Sequence, residues 1–160
     1  MAFQQKSKDN DMKHVAIGCD HAAFELKQLL KQYLLERGYR VLDVGVEQAA
    51  RCDYPDYASK VCMEIQNGTV DWGVLLCGTG IGMSMAANKF PNIRAAVVSD
   101  CFSAAATRQH NDANVLCLGS RVVGIGLAKQ ILDSWCGASF EGGRHQARID
   151  KMMNVYRGEP

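Results

Sequence analysis

The residue types with the clearest chemical potential lie in one glycine-rich stretch, Cys77-Gly-Thr-Gly-Ile-Gly82. An apolar run precedes this stretch and a helical pattern follows it, which predicts a turn between a strand and a helix. In such a turn the backbone N–H groups and the positive end of the helix dipole face one small volume, which favours an anion. Because the same environment stabilises a thiolate, Cys77 is a candidate base or nucleophile.

Two other interpretations of this stretch bear on its function. The glycines are also consistent with a tight turn that needs them only for backbone freedom. A dinucleotide-binding fingerprint, G-x-G-x-x-G, that began at Gly78 would need glycine at position 83, where the chain has Met83, and glycine falls one place early at Gly82. The spacing therefore disfavours NAD binding.

Cationic side chains form a second set of candidates. Arg144 and Arg148 are four residues apart, so a helix would place both on one face, as in a phosphate clamp. On their own, the two arginines are also consistent with a solvated basic face. Arg121 and His21 follow predicted strands and are further candidates for binding an anion.

The string Arg108-Gln-His-Asn-Asp112 places His110 at a predicted helix end, where an imidazole is a candidate acid–base group. One alternative is a Cys–His hydrolase, in which His110 activates Cys77 and Asn111 lies nearby. That alternative leaves the arginines without a role.

Alternating strands and helices are predicted to position these groups. Apolar strands that alternate with helices indicate an α/β fold, a doubly wound (Rossmann-like) three-layer sandwich with a five-stranded parallel sheet. Ligands of such sheets bind beyond the carboxyl ends of the strands, where most of the candidates are predicted to lie. The predicted strands are 14–18, 40–44, 72–76, 94–98 and 115–118, and the predicted helices are 22–37, 56–66, 82–89, 103–110, 126–136 and 146–156.

Composition and charge exclude several classes of protein. The chain has 160 residues, 48% hydrophobic and 22% charged, which predicts one globular domain over residues 13–160. Residues 1–12 are polar and are expected to be disordered. A net charge of +1 gives no basic footprint for a nucleic acid, and no run of about 18 apolar residues suggests a membrane span. The 7 cysteines, an odd number without a C-x-x-C pair, indicate neither disulfides nor a zinc knuckle and favour the cytoplasm.

Seven motifs resemble those of the type B ribose-5-phosphate isomerases, in the family that also contains galactose-6-phosphate isomerases. The resemblance runs from His14 to Arg157 and so covers nearly the whole chain. The motifs are Gly18-Cys-Asp-His21, Asp53-Tyr-Pro-Asp-Tyr-Ala58, Cys77-Gly-Thr-Gly-Ile-Gly82, Ala86-Ala-Asn-Lys89, Arg108-Gln-His-Asn-Asp112, Gly119-Ser-Arg121 and Gly142-Gly-Arg-His145.

The resemblance implies a reversible conversion of D-ribose 5-phosphate and D-ribulose 5-phosphate in the non-oxidative pentose phosphate pathway, with no metal and no cofactor. It assigns the base to Cys77. Other members of the family use a glutamate just after the third glycine of the turn, where this chain has Met83. The resemblance also implies a site shared between two subunits, and hence a homodimer or a tetramer built from it.

Further roles follow from the same resemblance. The enediolate is held by Thr79 and by the N–H groups of Gly78, Gly80 and Gly82. His110, aided by Asp20, opens the sugar ring. The 5-phosphate binds to His21, Arg121, Arg144 and Arg148, and the sugar contacts Tyr54 and Asn111.

Two alternatives to pentose isomerisation stay open. One is an isomerase of a six-carbon sugar phosphate, such as allose 6-phosphate or galactose 6-phosphate. Such a substrate is longer by about one C–C bond and needs that much more space between the glycine-rich turn and the phosphate-binding arginines. The other is a non-catalytic sugar-phosphate-binding module, because a fold does not fix a function.

Overall fold

Five parallel strands form one sheet in the computed structural model, which describes residues 14–155. The expected polar extension over residues 1–12 lies outside the described residues. The strands follow the order β2-β1-β3-β5-β4 across the sheet, and each predicted strand is confirmed to within one residue at either end. Their bounds are β1 (His14–Cys19), β2 (Arg40–Asp43), β3 (Trp72–Cys77), β4 (Ala95–Val97) and β5 (Val115–Gly119).

Helices cover both faces of this sheet, so the predicted three-layer α/β sandwich is confirmed. A 3₁₀ turn (His21–Ala23) precedes the first helix. The second helix begins two residues earlier than predicted because Pro55, which has no N–H group, is tolerated in a first turn. The helices are α1 (Phe24–Glu36), α2 (Tyr54–Gln66), α3 (Ile81–Ala87), α4 (Cys101–Asn111), α5 (Ile125–Cys136) and α6 (Arg144–Asn154).

Two apolar cores lie on opposite faces of the sheet. Side chains of α1, α4 and α5 pack on one face, where Trp72 and Trp135 lie with ring centroids 6.1 Å apart. Side chains of α2 and α3 pack on the other face, around Val61 and Met83. Because successive strand residues point to opposite faces, β3 sends Trp72 into the first core and Cys77 into the second.

The last helix packs beside the end of α4. The loop before it is joined to α4 by a hydrogen bond of 3.0 Å from the Glu141 N–H group to the Gln109 carbonyl. Gly142 and Gly143 then take φ values of 65° and 55°, which turn the chain sharply into α6. None of the helices in residues 14–155 is long and apolar enough to cross a membrane.

Candidate active site

Cys77 is the last residue of β3, and the turn that follows wraps around its sulfur atom. The Gly80 N–H group donates to Cys77 Sγ over 3.1 Å, and the thiol is only 6% exposed. Gly80 has a φ of 78°, a left-handed conformation in which glycine is strongly favoured. The Thr79 side chain is exposed at this turn, where its Oγ1 accepts from the Ile81 N–H group over 3.3 Å. The turn thus brings an N–H donor to the sulfur and carries an exposed hydroxyl two residues after Cys77.

Other cysteines of the chain lie in surroundings that keep them protonated. Burial raises the pKa of Cys19 to about 11 and the pKa of Cys62 to about 12. The pKa of Cys117, which lies inside the sheet, is also raised by burial. These three behave as small apolar side chains at neutral pH.

The turn after β3 and the turn after β5 approach each other very closely. A Cβ atom at Gly80 would lie 2.9 Å from the Leu118 carbonyl carbon, and one at Gly119 would lie 2.7 Å from the Thr79 backbone. The Ser120 N–H group donates to the Cys77 carbonyl over 2.9 Å. The two turns are therefore locked together backbone to backbone.

Arg121 is placed by this contact between the turns. Its N–H group donates to the Gly78 carbonyl over 3.0 Å, which fixes the chain direction at Arg121. A Cβ atom at Gly78 would lie 3.5 Å from Arg121 Cδ and Nη1, so the arginine side chain runs along the turn. Arg121 is exposed, and its guanidinium group can therefore bind an anion at this edge of the sheet.

Asp20 and His21 come directly after β1, at the same edge. The Asp20 N–H group donates to the Leu76 carbonyl over 3.2 Å, and Asp20 Oδ1 accepts from the Ala22 N–H group over 2.9 Å. Asp20 is 7% exposed, and the hydrogen bond from Ala22 orients its carboxylate. His21 is half-buried, and its Nδ1 accepts from the Cys52 N–H group over 3.4 Å.

Tyr54, the first residue of α2, completes this group of side chains. A Cβ atom at Gly82 would lie 2.8 Å from Tyr54 Cζ, so the phenol ring covers the start of α3. Nine of the predicted site residues thus gather at the carboxyl edge of the sheet. We call them the carboxyl-edge cluster: Asp20, His21, Tyr54, Cys77, Gly78, Thr79, Gly80, Gly82 and Arg121.

The other four predicted residues lie at the opposite edge of the sheet. α4 connects β4 to the parallel strand β5, so it starts at the carboxyl edge and ends at the amino edge. At that end Arg94 Nε donates to the Asn111 carbonyl over 3.1 Å. Because α6 packs beside the end of α4, its first turns lie there too. We call this set the amino-edge cluster: His110, Asn111, Arg144 and Arg148.

The separation of the two clusters limits what one chain can do alone. Cys77 lies at the carboxyl end of β3, whose 6 residues span roughly 16 Å along the strand, from the amino edge of the sheet to the carboxyl edge. A Cys77–His110 dyad, as in the hydrolase alternative, is therefore not formed within one chain.

His145 is a residue to which the sequence assigned no role. Its ring stacks on the His110 ring, with centroids 4.6 Å apart and planes at 13°. Burial, followed by the charge of Arg144, lowers the pKa of His145. The signal was present in the motif Gly142-Gly-Arg-His145, but the pairing of the two histidines depends on the packing of α4 against α6.

Comparison with known proteins places this arrangement in a family. A sequence model of the Ribose/Galactose Isomerase family matches residues 15–152. The chain belongs to this family. The resemblance that the seven motifs carry is thereby confirmed.

Relatives of high identity match almost the whole chain. Ribose-5-phosphate isomerase B of Escherichia coli is 55% identical over 144 residues, 90% of this chain and 97% of the relative. D-erythrulose-4-phosphate isomerase of Pectobacterium atrosepticum is 42% identical over 142 residues, 88% of this chain and 93% of the relative. The solved structure of Clostridium thermocellum ribose-5-phosphate isomerase B has a TM-score of 0.89 and 45% identity, covering 90% of this chain and 97% of that chain.

Proposed function

We propose that this protein is an aldose–ketose isomerase that interconverts D-ribose 5-phosphate and D-ribulose 5-phosphate. The observation that carries the proposal is the Cys77 thiol, held at the carboxyl edge with an N–H donor 3.1 Å from its sulfur. The relatives named ribose-5-phosphate isomerase B support the choice of substrate.

Cys77 is the base in this proposal. Isomerisation moves a proton between C2 and C1 of the open-chain sugar, and a single base that reaches both carbons can take it from one and return it to the other. The Gly80 N–H group stabilises the thiolate that accepts and releases this proton. Met83 has no acidic group, so the position after the third glycine supplies no alternative carboxylate.

The intermediate of this reaction is an enediolate, whose negative charge needs donors that are already in place. Thr79 is exposed at the turn, and the N–H groups of Gly78 and Gly82 belong to the same short segment. Gly80 contributes to this site through its hydrogen bond to the sulfur. The turn thus serves both the base and the developing oxyanion.

His110 opens the sugar ring in this proposal, with Asp20 as its aid, and a second copy of the chain brings the two together. One chain holds Asp20 and Cys77 at one edge of its sheet and His110 at the other edge. In a homodimer, the amino-edge cluster of one subunit completes the carboxyl-edge cluster of its partner. The 5-phosphate then lies among His21 and Arg121 of one subunit and Arg144 and Arg148 of the other.

Exposed apolar side chains around the carboxyl edge support this assembly. Phe102, at the start of α4, is 82% exposed, and Met85 on α3 is 64% exposed. Val122, after β5, and Ile81 are 57% and 53% exposed. A second copy of the chain that covered these side chains would remove them from water. Burial of apolar surface in this way is the main driving force of protein association.

The cellular setting follows from the same reaction. We place the enzyme in the non-oxidative pentose phosphate pathway and in the cytoplasm, where a reactive thiol stays reduced. All 7 cysteines are free, as expected in a reducing compartment.

The decisive experiment follows ribulose 5-phosphate formation from ribose 5-phosphate by the purified full chain in the presence of a chelator. We expect Cys77→Ala to lower kcat by about 10³-fold, because general base catalysis contributes that much. Sugar-phosphate binding should persist, since the phosphate contacts lie elsewhere. Cys101→Ala is the matched control, because Cys101 is a half-buried thiol outside both clusters, and its kcat should match the wild-type value.

The remaining outcomes separate the alternatives. Turnover of allose 6-phosphate or D-erythrulose 4-phosphate in place of ribose 5-phosphate would keep the mechanism and change the substrate. Binding without turnover of any of these sugars would identify a non-catalytic module. Full activity of Cys77→Ala would exclude Cys77 as the base.

A further inference from the structure

His110, Glu141 and His145 bring three metal-binding side chains together at the amino edge. One nitrogen or oxygen atom of each residue lies within 4.8 Å of the corresponding atoms of the other two. Backbone hydrogen bonds hold the three residues next to one another. The Glu141 N–H group donates to the carbonyl of Gln109, the residue before His110, and the His145 N–H group donates to the Gly142 carbonyl over 3.0 Å. The three side chains therefore converge from α4, the loop and α6.

The buried ring of His145 provides an independent reason to expect a ligand. His145 is 5% exposed, and its Nε2 has no hydrogen-bond partner. Glu141 Oε2 is the nearest acidic atom at 3.5 Å, which is longer than a hydrogen bond between nitrogen and oxygen. Buried nitrogens are rarely left in this state, and a cation between Glu141 and the two rings would satisfy it.

The donor set indicates which cation fits. Two imidazoles and one carboxylate suit Zn²⁺ and its neighbours among the transition metals, whereas Mg²⁺ and Ca²⁺ prefer oxygen ligands only. Bonds of about 2.0–2.2 Å in a tetrahedral site put the ligand atoms about 3.3–3.6 Å apart, so the three side chains must move closer together to bind the ion. The lone pair of an imidazole nitrogen lies in the ring plane, so two stacked rings cannot both face one ion, and His110 must rotate out of its stack on His145 to bind it. Glu141 is 48% exposed and His110 is half-buried, so both side chains can turn towards the buried ring of His145.

We propose that His110, Glu141 and His145 form a binding site for Zn²⁺ or a similar transition-metal ion, and that this ion inhibits the enzyme. Binding a metal takes up a nitrogen of the His110 ring and turns the ring out of its stacked position, so His110 can no longer open the sugar ring. The inhibitory half of this proposal rests on the proposed function, whereas the binding half does not. The positive charges of Arg144 and Arg148 oppose the binding of a cation and so lower the affinity of the site.

The test is a calorimetric titration of the chelator-treated full chain with ZnCl₂, followed by the isomerase assay at the same concentrations of Zn²⁺. We expect one bound ion per chain, loss of activity as the site fills, and recovery with chelator. Glu141→Gln removes only an exposed charge and should retain basal activity, but it should weaken Zn²⁺ binding by about tenfold or more. Glu25→Gln, an exposed glutamate on α1, should behave as wild type.

Two further measurements distinguish metal bound by cysteine thiols from metal bound by His110, Glu141 and His145. Co²⁺ bound to the three residues should show no thiolate charge-transfer band. Cys52→Ser should also leave Zn²⁺ affinity unchanged, although Cys52 Sγ lies 3.9 Å from His21 Nδ1. Loss of binding in Cys52→Ser, or unchanged binding in Glu141→Gln, would overturn the proposal. If no sugar phosphate is turned over, the calorimetry still decides whether the metal site exists.

Discussion

Gly80 and Gly119 are the residues at which the candidate site is least tolerant of change. Both lie where the turns after β3 and β5 touch, and neither has room for a Cβ atom. The sequence indicated that the glycines of the first turn serve an anion site. The contact with Leu118 and Thr79 shows that they also let two backbones meet.

We expect Gly80→Ala to destabilise the fold by about 2 kcal/mol and to lower kcat. A side chain at a φ of 78° is strained, and the new methyl group would push the turn away from Leu118, which would move the N–H donor off the sulfur. Thermal unfolding and the isomerase assay measure the two effects. Gly126→Ala in α5 is the control, because nothing lies within 4 Å of its Cβ position, and we expect it to stabilise the helix by about 0.5–1 kcal/mol. Equal effects of the two substitutions would contradict this account of the turn.

Arg148 should act on binding more than on chemistry. It contacts the phosphate in the proposed dimer, and a phosphate contact is the same in ground and transition states. We expect Arg148→Ala to raise KM by about 10- to 100-fold with a small change in kcat, from the loss of a charge-assisted hydrogen bond. Steady-state kinetics measure both constants. Arg40→Ala, an exposed arginine on β2, should leave KM unchanged, and an unchanged KM in Arg148→Ala would mean that Arg148 is only a surface residue.

At the scale of elements, a buried ion pair fastens α1 to the end of β2. Lys27 is 2% exposed, and its Nζ donates to Asp43 Oδ1 over 3.0 Å and to the Val46 carbonyl over 2.6 Å. Lys31 Nζ donates to Asp43 Oδ2 over 3.1 Å. The periodicity of the sequence predicted α1 and β2, but it did not predict that Lys27 is buried or ion-paired. A lysine is buried only when a side chain from another element pairs with its charge, and such a contact cannot be inferred from local spacing.

We expect Asp43→Ala to lower the free energy of unfolding by about 3 kcal/mol, since it leaves the buried Lys27 ammonium without its counter-charge. Asp133→Ala is the control, because the side chains of its pair with Arg37 are 40% and 44% exposed, and it should cost less than about 1 kcal/mol. Denaturant unfolding measures both. A small loss in Asp43→Ala would show that water solvates Lys27.

The same pair predicts a pH dependence of stability. Burial acts to raise the pKa of Asp43, but hydrogen bonds from Lys27, Lys31 and the Gly45 N–H group outweigh it and hold the pKa below its usual value of 3.8. The carboxylate therefore stabilises the fold above about pH 4, and this stabilisation is lost as the pH falls through 3.8 and below. The difference in unfolding free energy between wild type and Asp43→Ala should shrink over that range. A difference that grew on acidification would contradict the sign of the shift.

At the scale of the whole molecule, the division of site residues between two edges makes complementation between subunits possible. Cys77→Ala damages the carboxyl-edge cluster and His110→Ala damages the amino-edge cluster, so in the proposed homodimer each variant alone would have two defective sites. A mixed dimer has one site with both defects and one intact site. Random exchange should therefore restore about a quarter of wild-type activity.

The experiment denatures and refolds the two variants together and compares the mixture with each variant refolded alone. Mixing Cys77→Ala with Thr79→Ala is the control, since both changes fall in the same cluster and no mixed dimer has an intact site. Recovery in the first mixture alone would support the shared site. No recovery in a mixture shown to contain mixed dimers would mean that each chain uses only its own residues.

The sequence alone determined the α/β fold, the five parallel strands and the chemistry-bearing turn, because these depend on local periodicity and on glycine and cysteine at fixed spacing. The i,i+4 spacing also predicted that Arg144 and Arg148 share one face at the start of the last helix, although the predicted range, 146–156, began two residues later than α6 does. Only the tertiary structure decided which candidates share an edge, because that depends on strand order and on the direction of each crossover. It alone stacked His110 on His145 and brought Glu141 beside them, since these contacts form where α4, a loop and α6 pack together.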